Sequence, residues 1–203
     1  MLVQINPTHP QPRLIGQVVD CLRNGGVIAY PTDTTYGIGC SIFNKKGLER
    51  IYLAKQRDKR KPFSFICADL SEVSRYARLT NQAFKIMKRH LPGPYTFVLE
   101  ASREVPDLLL TRQKTVGIRM PDNPICMAIV SGLGLPVVTT SANRSGEDPV
   151  GDPREIQRQF GNSLDIIIDG GLLSTNVSTV ISLAGDQPEL LRDGIGDSSW
   201  LNV

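Results

Sequence analysis

Apolar residues along this chain recur with two different spacings. Leu14, Val18 and Leu22 lie four residues apart and predict a helix with one buried face, which Gly25–Gly26 would end. The run Val27–Tyr30 follows at once; it is short, apolar and closed by a proline, which is typical of a buried strand. Helix-like and strand-like segments continue to alternate in this way, and such alternation favours helices packed on a twisted sheet.

The remaining elements are predicted from short apolar runs and from residues that start helices. Further strands are predicted at 63–68, 95–99, 116–120, 135–140, 164–169, 179–183 and 189–192. Helix starts are predicted at Asn44, Thr80, Asn123 and Asp152. The last strands are separated by short turns, so antiparallel neighbours are expected there. We therefore predict an α/β fold with residues 1–203 in one domain, built on a single twisted mixed sheet with flanking helices.

The composition is that of a soluble globular protein. Of the 203 residues, 40% are hydrophobic and 21% are charged, and no run approaches the roughly 18 apolar residues of a membrane span. The N-terminus lacks the pattern of a signal peptide, so we expect a cytoplasmic protein with no membrane partner. The cysteines Cys21, Cys40, Cys67 and Cys126 form no C-x-x-C pair and are expected to be small buried thiols. With only two histidines, neither close to a cysteine, no metal site is expected.

Positive charge is concentrated in one segment. Residues 45–61 contain eight lysines and arginines against two acidic residues, a local charge of +6, whereas the whole chain carries only +3. The segment includes Lys55 and Arg57 at the end of a predicted helix, where cations are favoured by the helix dipole. Two readings stay open: a solvated helix face, or a surface that binds phosphates or nucleic acid.

Other polar residues cluster at the predicted strand ends. The segment Pro31–Gly39 (PTDTTYGIG) carries hydroxyls on Thr32, Thr34, Thr35 and Tyr36, and its glycines would let a ligand approach the backbone. Ser141 and Asn143 end another strand and could cap a turn or bind a phosphate or ribose. Arg119 lies within a strand, where it could face solvent or hold a carboxylate, and Arg192 ends the last strand. No P-loop, G-x-S-x-G or H-E-x-x-H motif is present.

Eight short motifs in this order resemble one family. They are PTDTTYGIG at 31–39, KQR at 55–57, PGPYT at 92–96, VGIRMP at 116–121, SANRSG at 141–146, DGG at 169–171, STV at 178–180 and LRDG at 191–194. Together they resemble the YrdC/YciO-type threonylcarbamoyl-AMP synthases, nearest to the YciO-like branch. The resemblance implies a large concave, electropositive cleft and a nucleotidyltransferase that converts L-threonine, bicarbonate and ATP to threonylcarbamoyl-AMP and pyrophosphate. That product serves the N6-threonylcarbamoyl modification of tRNA adenosine.

The resemblance also implies roles for individual residues. The ATP site would consist of Lys55, Arg57, Thr115, Ser141, Asn143 and Arg192, of which Lys55, Arg57 and Ser141 would be catalytic. The L-threonine site would consist of Thr32, Tyr36, Arg119, Thr139 and Thr179. Mg²⁺ is expected to arrive on the ATP phosphates rather than in a protein cage. Positioning and charge neutralisation should then dominate the chemistry, as in phosphoryl transfer generally.

The chain departs from the family pattern at a few positions. Ile66 stands where the synthases commonly carry a histidine, Asp58 where they favour proline after the K-x-R motif, and Thr140 where proline often precedes S-x-N. An alternative function is therefore kept, in which a YciO-like paralogue binds tRNA or double-stranded RNA and has weak or different nucleotide-transfer activity. Partner proteins of the tRNA-modification pathway are also expected.

Overall fold

The structure is a computed structural model and describes residues 1–56, 63–110 and 112–202. Arg57 and Asp58, which the sequence analysis singled out, lie outside the described residues. Within these residues, ten strands form one mixed sheet in the order β1-β8-β2-β3-β7-β4-β6-β5-β9-β10. The predicted α/β class with a mixed sheet and flanking helices is confirmed.

The bounds of the elements are as follows. The strands are β1 Leu2–Gln4, β2 Ile28–Tyr30, β3 Gly37–Ser41, β4 Ser64–Ile66, β5 Tyr95–Glu100, β6 Thr115–Arg119, β7 Val137–Ser141, β8 Ile166–Asp169, β9 Thr179–Ser182 and β10 Glu189–Arg192. The helices are α1 Pro12–Arg23, α2 Lys45–Lys55, α3 Leu70–Tyr76, α4 Asn81–His90, α5 Pro124–Leu133 and α6 Pro153–Phe160. Short 3₁₀ turns occupy Asp107–Leu109 and Ser199–Asn202.

The four predicted helix starts are confirmed by their hydrogen bonds. The side chains of Asn44, Thr80, Asn123 and Asp152 each accept a backbone N–H from the first turn of α2, α4, α5 and α6, respectively. Each cap satisfies one of the N–H groups that the start of a helix leaves without a partner.

Helix α3 was missed by the sequence analysis, although a signal for it exists. The Asp69 side chain accepts from the backbone N–H of Glu72, and the Glu72 carboxylate accepts in return from the N–H of Ala68 at 2.6 Å. This reciprocal arrangement is a variant of the capping box, and it starts a helix that the apolar pattern alone does not reveal.

Strand β3 was also missed, because the analysis assigned Gly37 and Gly39 to a loop. Both glycines pair with neighbouring strands on either side, as in Gly39 with Ile28 and with Thr139. A Cβ at Gly39 would lie 2.3 Å from the Val138 carbonyl oxygen and 3.2 Å from the Tyr30 ring. Both glycines therefore make room for the Tyr30 ring and, at Gly39, for the neighbouring strand β7, while Gly37 also lines the cavity described below.

Helices cover the two faces of the sheet unequally. On one face, α1 and α5 pack over β1, β8, β2 and the adjoining ends of β7 and β4, with apolar side chains such as Ile28, Val137 and Ile166 beneath them. On the other face, apolar residues of α2, α3, α4 and α6 join a larger cluster with side chains such as Phe65, Phe97 and Ile118. The part of the first face beyond α1 and α5 carries small polar side chains instead, and that part forms the candidate site.

The predicted burial of the cysteines is confirmed for three of the four. All four thiols are free; Cys40, Cys67 and Cys126 are buried, whereas Cys21 is only half-buried on α1. Burial raises the pKa of Cys40 and of Cys126 to about 12, so these thiols stay protonated near neutral pH. Of the described helices, none is long and apolar enough to cross a bilayer.

Candidate functional site

The floor of the site is a row of small residues in register across four strands. Ser64 in β4 pairs with Thr139 in β7 on one side and with Gly117 in β6 on the other, and Gly117 pairs with Val98 in β5. Side chains that pair across strands point to the same face, so these residues form one surface. A Cβ at Gly117 would lie 2.7 Å from the Ser64 hydroxyl oxygen, so only glycine leaves the floor this deep.

Above this floor lies a cavity of about 270 Å³. Its lining residues come from the segment after β2, from the central strands and from the C-terminal strands. They are Thr34, Thr35, Tyr36, Gly37, Phe63, Ser64, Thr96, Val98, Thr115, Gly117, Arg119, Thr139, Thr140, Ser141, Val177, Ser178, Val180 and Arg192. Of these, two are arginines and none is an aspartate or glutamate, so the lining itself is positively charged.

Arg119 reaches the cavity from the end of β6 and is held by the segment after β2. Its guanidinium forms an ion pair with Asp33 at 2.8 Å and donates to the Thr34 hydroxyl at 3.1 Å. Both members of the ion pair are largely buried, and burial raises the pKa of Asp33 although the Arg119 charge opposes this. The Arg119 Nε is buried without a hydrogen-bond partner among the described residues. A ligand with an acceptor oxygen could satisfy that donor.

Arg192 reaches the cavity from the opposite side, because of an irregularity in β10. Leu190 pairs with Ile181 and Arg192 with Val180, so Leu191 is an extra residue between two consecutive pairs. Strict alternation would put Arg192 on the same face as Leu190, and the bulge turns it to the cavity face instead. Its guanidinium then donates to the Ser178 carbonyl at 2.8 Å and to the Ser178 hydroxyl at 3.1 Å.

The two arginines influence each other across the cavity. Partial burial and the positive charge of Arg119 both lower the pKa of Arg192. No carboxylate lies within ion-pair distance of Arg192 in the part of the chain that the structure describes. An anion between the two guanidinium groups would relieve their repulsion, so the charge distribution favours an anionic ligand.

Lys55 lies directly behind the cavity wall rather than in it. Its side chain is 1% exposed, and the ammonium group donates to the carbonyl oxygens of Ser141 and Asn143 and, at 3.3 Å, to the Asn143 side-chain oxygen. Asn143 is itself buried and donates to the carbonyls of Arg144 and Glu147. Lys55 and Asn143 thus shape the turn after β7, and Ser141 is the member of this group that lines the cavity.

The predicted threonine-site residues divide into two groups. Tyr36, Arg119 and Thr139 line the cavity. Thr32 is buried beneath the lining, where its hydroxyl donates to the Thr35 carbonyl at 2.6 Å and so closes the loop. Thr179 is buried in β9 with its hydroxyl donating to the Gly196 carbonyl at 2.7 Å, and it is not among the lining residues.

Several hydroxyls at the site are already hydrogen-bonded within the protein. Tyr36 donates to the Gly171 carbonyl at 2.7 Å and accepts from the Gly170 N–H at 3.0 Å, and burial raises its pKa to about 12. Thr139 accepts a hydrogen bond from the Tyr30 hydroxyl at 2.5 Å. These bonds hold the hydroxyls in fixed orientations, which lowers the cost of ordering them around a ligand.

The predicted ATP-site residues are brought to one side of the molecule. Thr115, Ser141 and Arg192 line the cavity, and Lys55 and Asn143 lie behind Ser141. The structure also adds residues that the sequence analysis did not single out for the site, namely Ser64, Thr96, Ser178 and Asp33. Thr96 and Ser178 form a hydroxyl pair at 2.8 Å on the cavity wall. Both residues belong to motifs named in the sequence analysis, PGPYT at 92–96 and STV at 178–180, although no role was assigned to them there.

Ile66, the residue in place of the family histidine, lies next to Arg119. The two residues pair directly between β4 and β6, and Ile66 is wholly buried in the apolar cluster beneath α1 and α5. Its side chain offers no acceptor to the guanidinium beside it. Among the described residues, no three histidine, cysteine or acidic side chains lie close enough together to hold a metal ion.

The fold and much of the sequence are shared with known proteins. The family model Sua5/YciO/YrdC, described as "Telomere recombination", matches residues 20–194. YciO of Escherichia coli is 44% identical over 195 residues, which is 95% of each chain, and its crystal structure superposes with a TM-score of 0.94 over 98% of each chain. The threonylcarbamoyl-AMP synthase of Coxiella burnetii is 33% identical over 168 residues, 82% of this chain and 90% of that protein.

A solved relative contains an amino acid. The crystal structure of P. abyssi Sua5 complexed with L-threonine is 29% identical and gives a TM-score of 0.90 over 96% of this chain and 57% of the longer Sua5 chain. With the family model, the curated relatives and the solved structures in agreement, this chain belongs to the Sua5/YciO/YrdC family.

Proposed function

We propose that this protein is a nucleotidyltransferase that makes threonylcarbamoyl-AMP from L-threonine, bicarbonate and ATP, for N6-threonylcarbamoyladenosine in tRNA. The observation that carries the proposal is a cavity lined by both Arg119 and Arg192, with no acidic residue among the described residues of the lining. The reaction would first convert threonine to a carbamate and then join that carbamate to ATP. Both substrates of this joining step are anions, because the carbamate also carries the amino-acid carboxylate and ATP carries a triphosphate. Family members named threonylcarbamoyl-AMP synthases and a relative with bound L-threonine add to this support.

The chemistry needs little acid–base assistance from the protein. The threonine ammonium group first releases a proton, and the resulting neutral amine adds to the carbon of bicarbonate with loss of water, which gives a carbamate. A carbamate oxygen then attacks the α-phosphorus of ATP, the bond to the bridging oxygen breaks, and pyrophosphate leaves. Charge spreads over the phosphoryl oxygens in such a transition state, so fixed cations and hydroxyl donors supply most of the stabilisation. Mg²⁺ would enter on the phosphates.

The two ends of the cavity suit the two substrates. Arg119 is fixed by Asp33 and has a buried, unpartnered Nε among the described residues, so it would hold the carboxylate of the amino acid. Arg192 is fixed by Ser178 and would bind phosphate oxygens together with the hydroxyls of Ser141 and Thr115. Lys55 would act by holding the turn that carries Ser141.

The size of the cavity argues against a duplex ligand inside it. At about 270 Å³ it is on the scale of a small-molecule pocket, and a double-stranded RNA would have to bind outside it. The RNA-binding alternative therefore concerns the surface of the protein.

The test is to incubate the purified protein with ATP, bicarbonate and each amino acid, and to follow pyrophosphate release and the adenylate by mass spectrometry. The proposal expects a threonine- and bicarbonate-dependent carbamoyl adenylate, and a loss of at least about tenfold in Arg192→Gln and Ser141→Ala. Arg103→Gln, an exposed arginine outside the cavity lining, is the matched control and should keep full activity. Absence of an adenylate with every amino acid would refute the proposal.

A further inference from the structure

A second candidate site lies on α4, away from the residues that line the cavity. Trp200 stacks on His90, with ring centroids 4.7 Å apart and an interplanar angle of 20°. Beside them is a groove of about 520 Å³ lined by Lys85, Ile86, Arg89, His90 and Trp200. Its lining shares no residue with that of the cavity.

The groove combines an aromatic platform with a row of positive charge. Lys85 and Arg89 are four residues apart on α4, so they project from the same side of the helix and are both exposed. Ile86 and His90 form the neighbouring row, are partly buried, and give the groove an apolar floor. Helix α4 carries three basic residues, Lys85, Lys88 and Arg89, and no acidic residue at all.

Hydrogen bonds to the Asp197 carbonyl fix the position of the stacked Trp200 ring. The indole N–H of Trp200 donates to the Asp197 carbonyl at 2.9 Å, and the Tyr95 hydroxyl donates to the same carbonyl at 3.1 Å. The His90 ring also packs against the Tyr95 ring, with ring centroids 5.2 Å apart. Burial lowers the pKa of His90. The Asp197 carboxylate accepts hydrogen bonds from the N–H and hydroxyl of Ser199, at 2.9 and 3.1 Å, and its charge partly opposes the lowering of the His90 pKa.

Helix α4 therefore presents an apolar aromatic surface with cations along one side. A flat π-surface that accepts a stacked base, next to cations spaced to reach the flanking phosphates, is how proteins bind unpaired nucleotides. A protein segment would use the apolar floor, but Lys85 and Arg89 form no ion pair within the described residues, and these two cations favour an anionic ligand.

We propose that this groove binds a single-stranded nucleic acid, with a base stacked on Trp200 and its flanking phosphates on Lys85 and Arg89. The inference does not depend on the reaction proposed for the cavity. Binding would be sequence-tolerant, because stacking and phosphate contacts do not distinguish one base from another.

The chain offers a direct reporter for this contact, since Trp200 is its only tryptophan. Titration with an oligoadenylate RNA of about 10 nucleotides is expected to quench the tryptophan fluorescence and to saturate. The matching DNA strand tests whether the ribose matters, and inorganic polyphosphate tests charge without bases. Quenching by both nucleic acids but not by polyphosphate supports base stacking; equal quenching by polyphosphate, or none by any ligand, overturns the proposal.

The variants separate this groove from the basic segment at 45–61. Binding of a dye-labelled oligonucleotide, measured by anisotropy, is expected to weaken at least tenfold in Lys85→Gln/Arg89→Gln. The slope of log K against log salt should also become less steep by about 1.4, for two phosphates on a single strand. Lys45→Gln/Lys46→Gln removes the same charge from exposed positions on α2. Because only the long-range effect of net charge remains, this variant should keep its affinity within about twofold of the wild type. A loss confined to the α2 variant would place the nucleic acid there and refute the groove.

Trp200→Leu completes the set. It is expected to reduce affinity by about five- to one-hundredfold without changing the salt slope, because it removes stacking and leaves the phosphate contacts. The unfolding midpoint of each variant is measured in parallel, and threonine-dependent pyrophosphate release provides a check on the cavity. Unchanged affinity in a folded Trp200→Leu protein would contradict the proposal.

Discussion

The ammonium group of Lys55 donates a hydrogen bond to the main-chain carbonyl of Ser141, although the two residues are 86 positions apart in the chain. The lysine also donates to the Asn143 carbonyl and so joins the end of α2 to the turn after β7. A cation that the sequence analysis assigned to ATP is thus used to build the wall on which the Ser141 hydroxyl is carried.

Lys55→Met is accordingly expected to reduce stability as well as activity. The substitution keeps the volume of the side chain but leaves the buried Asn143 carbonyl without this donor, at a cost of about 1–3 kcal/mol in unfolding free energy. Urea denaturation measures this, with the exposed Lys45→Met as control, which should change stability by less than about 0.5 kcal/mol. Ser141→Ala should lose activity with little loss of stability, and equal stability of the Lys55→Met protein and the wild type would contradict the role of Lys55.

Two aspartates are expected to give opposite pH dependences of stability. Burial raises the pKa of Asp33 in the folded protein, so on raising the pH the unfolded state releases this proton before the folded state does. The contribution of Asp33 to the unfolding free energy therefore decreases as the pH rises above 3.8, the ordinary pKa of an aspartate. The unfolding free energy of the wild type, minus that of Asp33→Asn, should therefore fall between about pH 4 and the raised pKa. Urea unfolding at several pH values measures the difference.

Asp165 provides the contrasting case. Partial burial opposes its ionisation, but hydrogen bonds from Arg50 at 2.9 Å and from the Val27 N–H at 2.7 Å outweigh this and lower its pKa. The stability that Asp165 contributes is present above its ordinary value of 3.8 and is lost as pH falls through the lowered pKa. The difference between wild type and Asp165→Asn should rise with pH, and slopes of the same sign for both aspartates would refute the assignment.

Arg192 is expected to affect the nucleotide more than the amino acid. Arg192→Lys keeps the charge but loses the planar fork that Ser178 orients, so under the proposed function KM for ATP should rise about tenfold or more while KM for threonine changes little. Arg119→Lys should give the reverse pattern. Steady-state pyrophosphate release, with each substrate varied in turn, measures both constants; a rise in KM for threonine alone in Arg192→Lys would exchange the two ends of the site.

The same substitution should have opposite effects at two glycines. Gly39→Ala puts a methyl group 2.3 Å from the Val138 carbonyl oxygen and 2.8 Å from the Val137 side chain, so the strands must separate, at a cost of about 1–3 kcal/mol or more. Gly16→Ala lies within α1 and meets nothing within 4 Å, so it should stabilise the protein by about 0.5–1 kcal/mol. Thermal or urea denaturation measures both, and a neutral Gly39→Ala would show that β3 tolerates a side chain there.

The sequence predicts the sheet class and the helix starts because these depend on local patterns. It does not predict β3, whose glycines have low strand propensity and are held in the sheet by pairing on both sides and by the Tyr30 ring. The face to which Arg192 points could not be predicted from the apolar pattern either, because one extra residue in β10 reverses the direction that strict alternation would give. A residue cannot be located from the local sequence pattern when its position is set by pairing with a strand that is distant in the chain.

The residues of the candidate site could be predicted from the sequence only in part. Motif residues such as Ser141 and Arg119 could be selected from the sequence, and they do meet at the cavity. Ser64 could not be selected in this way, since it belongs to none of the motifs and its place on the floor follows only from the register of the strands. Lys55 shows the limit most clearly, because charge and motif suggest a solvent-facing cation whereas the fold buries it.

The uneven helical cover of the sheet has a consequence for how this architecture can diversify. Because α1 and α5 do not cover the parts of the strands that line the cavity, partly exposed side chains such as Thr115 and Val98 lie outside the two apolar clusters that hold the molecule together. The scaffold can therefore acquire a new substrate through a few point changes on an already solvated surface, while its folding remains governed by residues elsewhere.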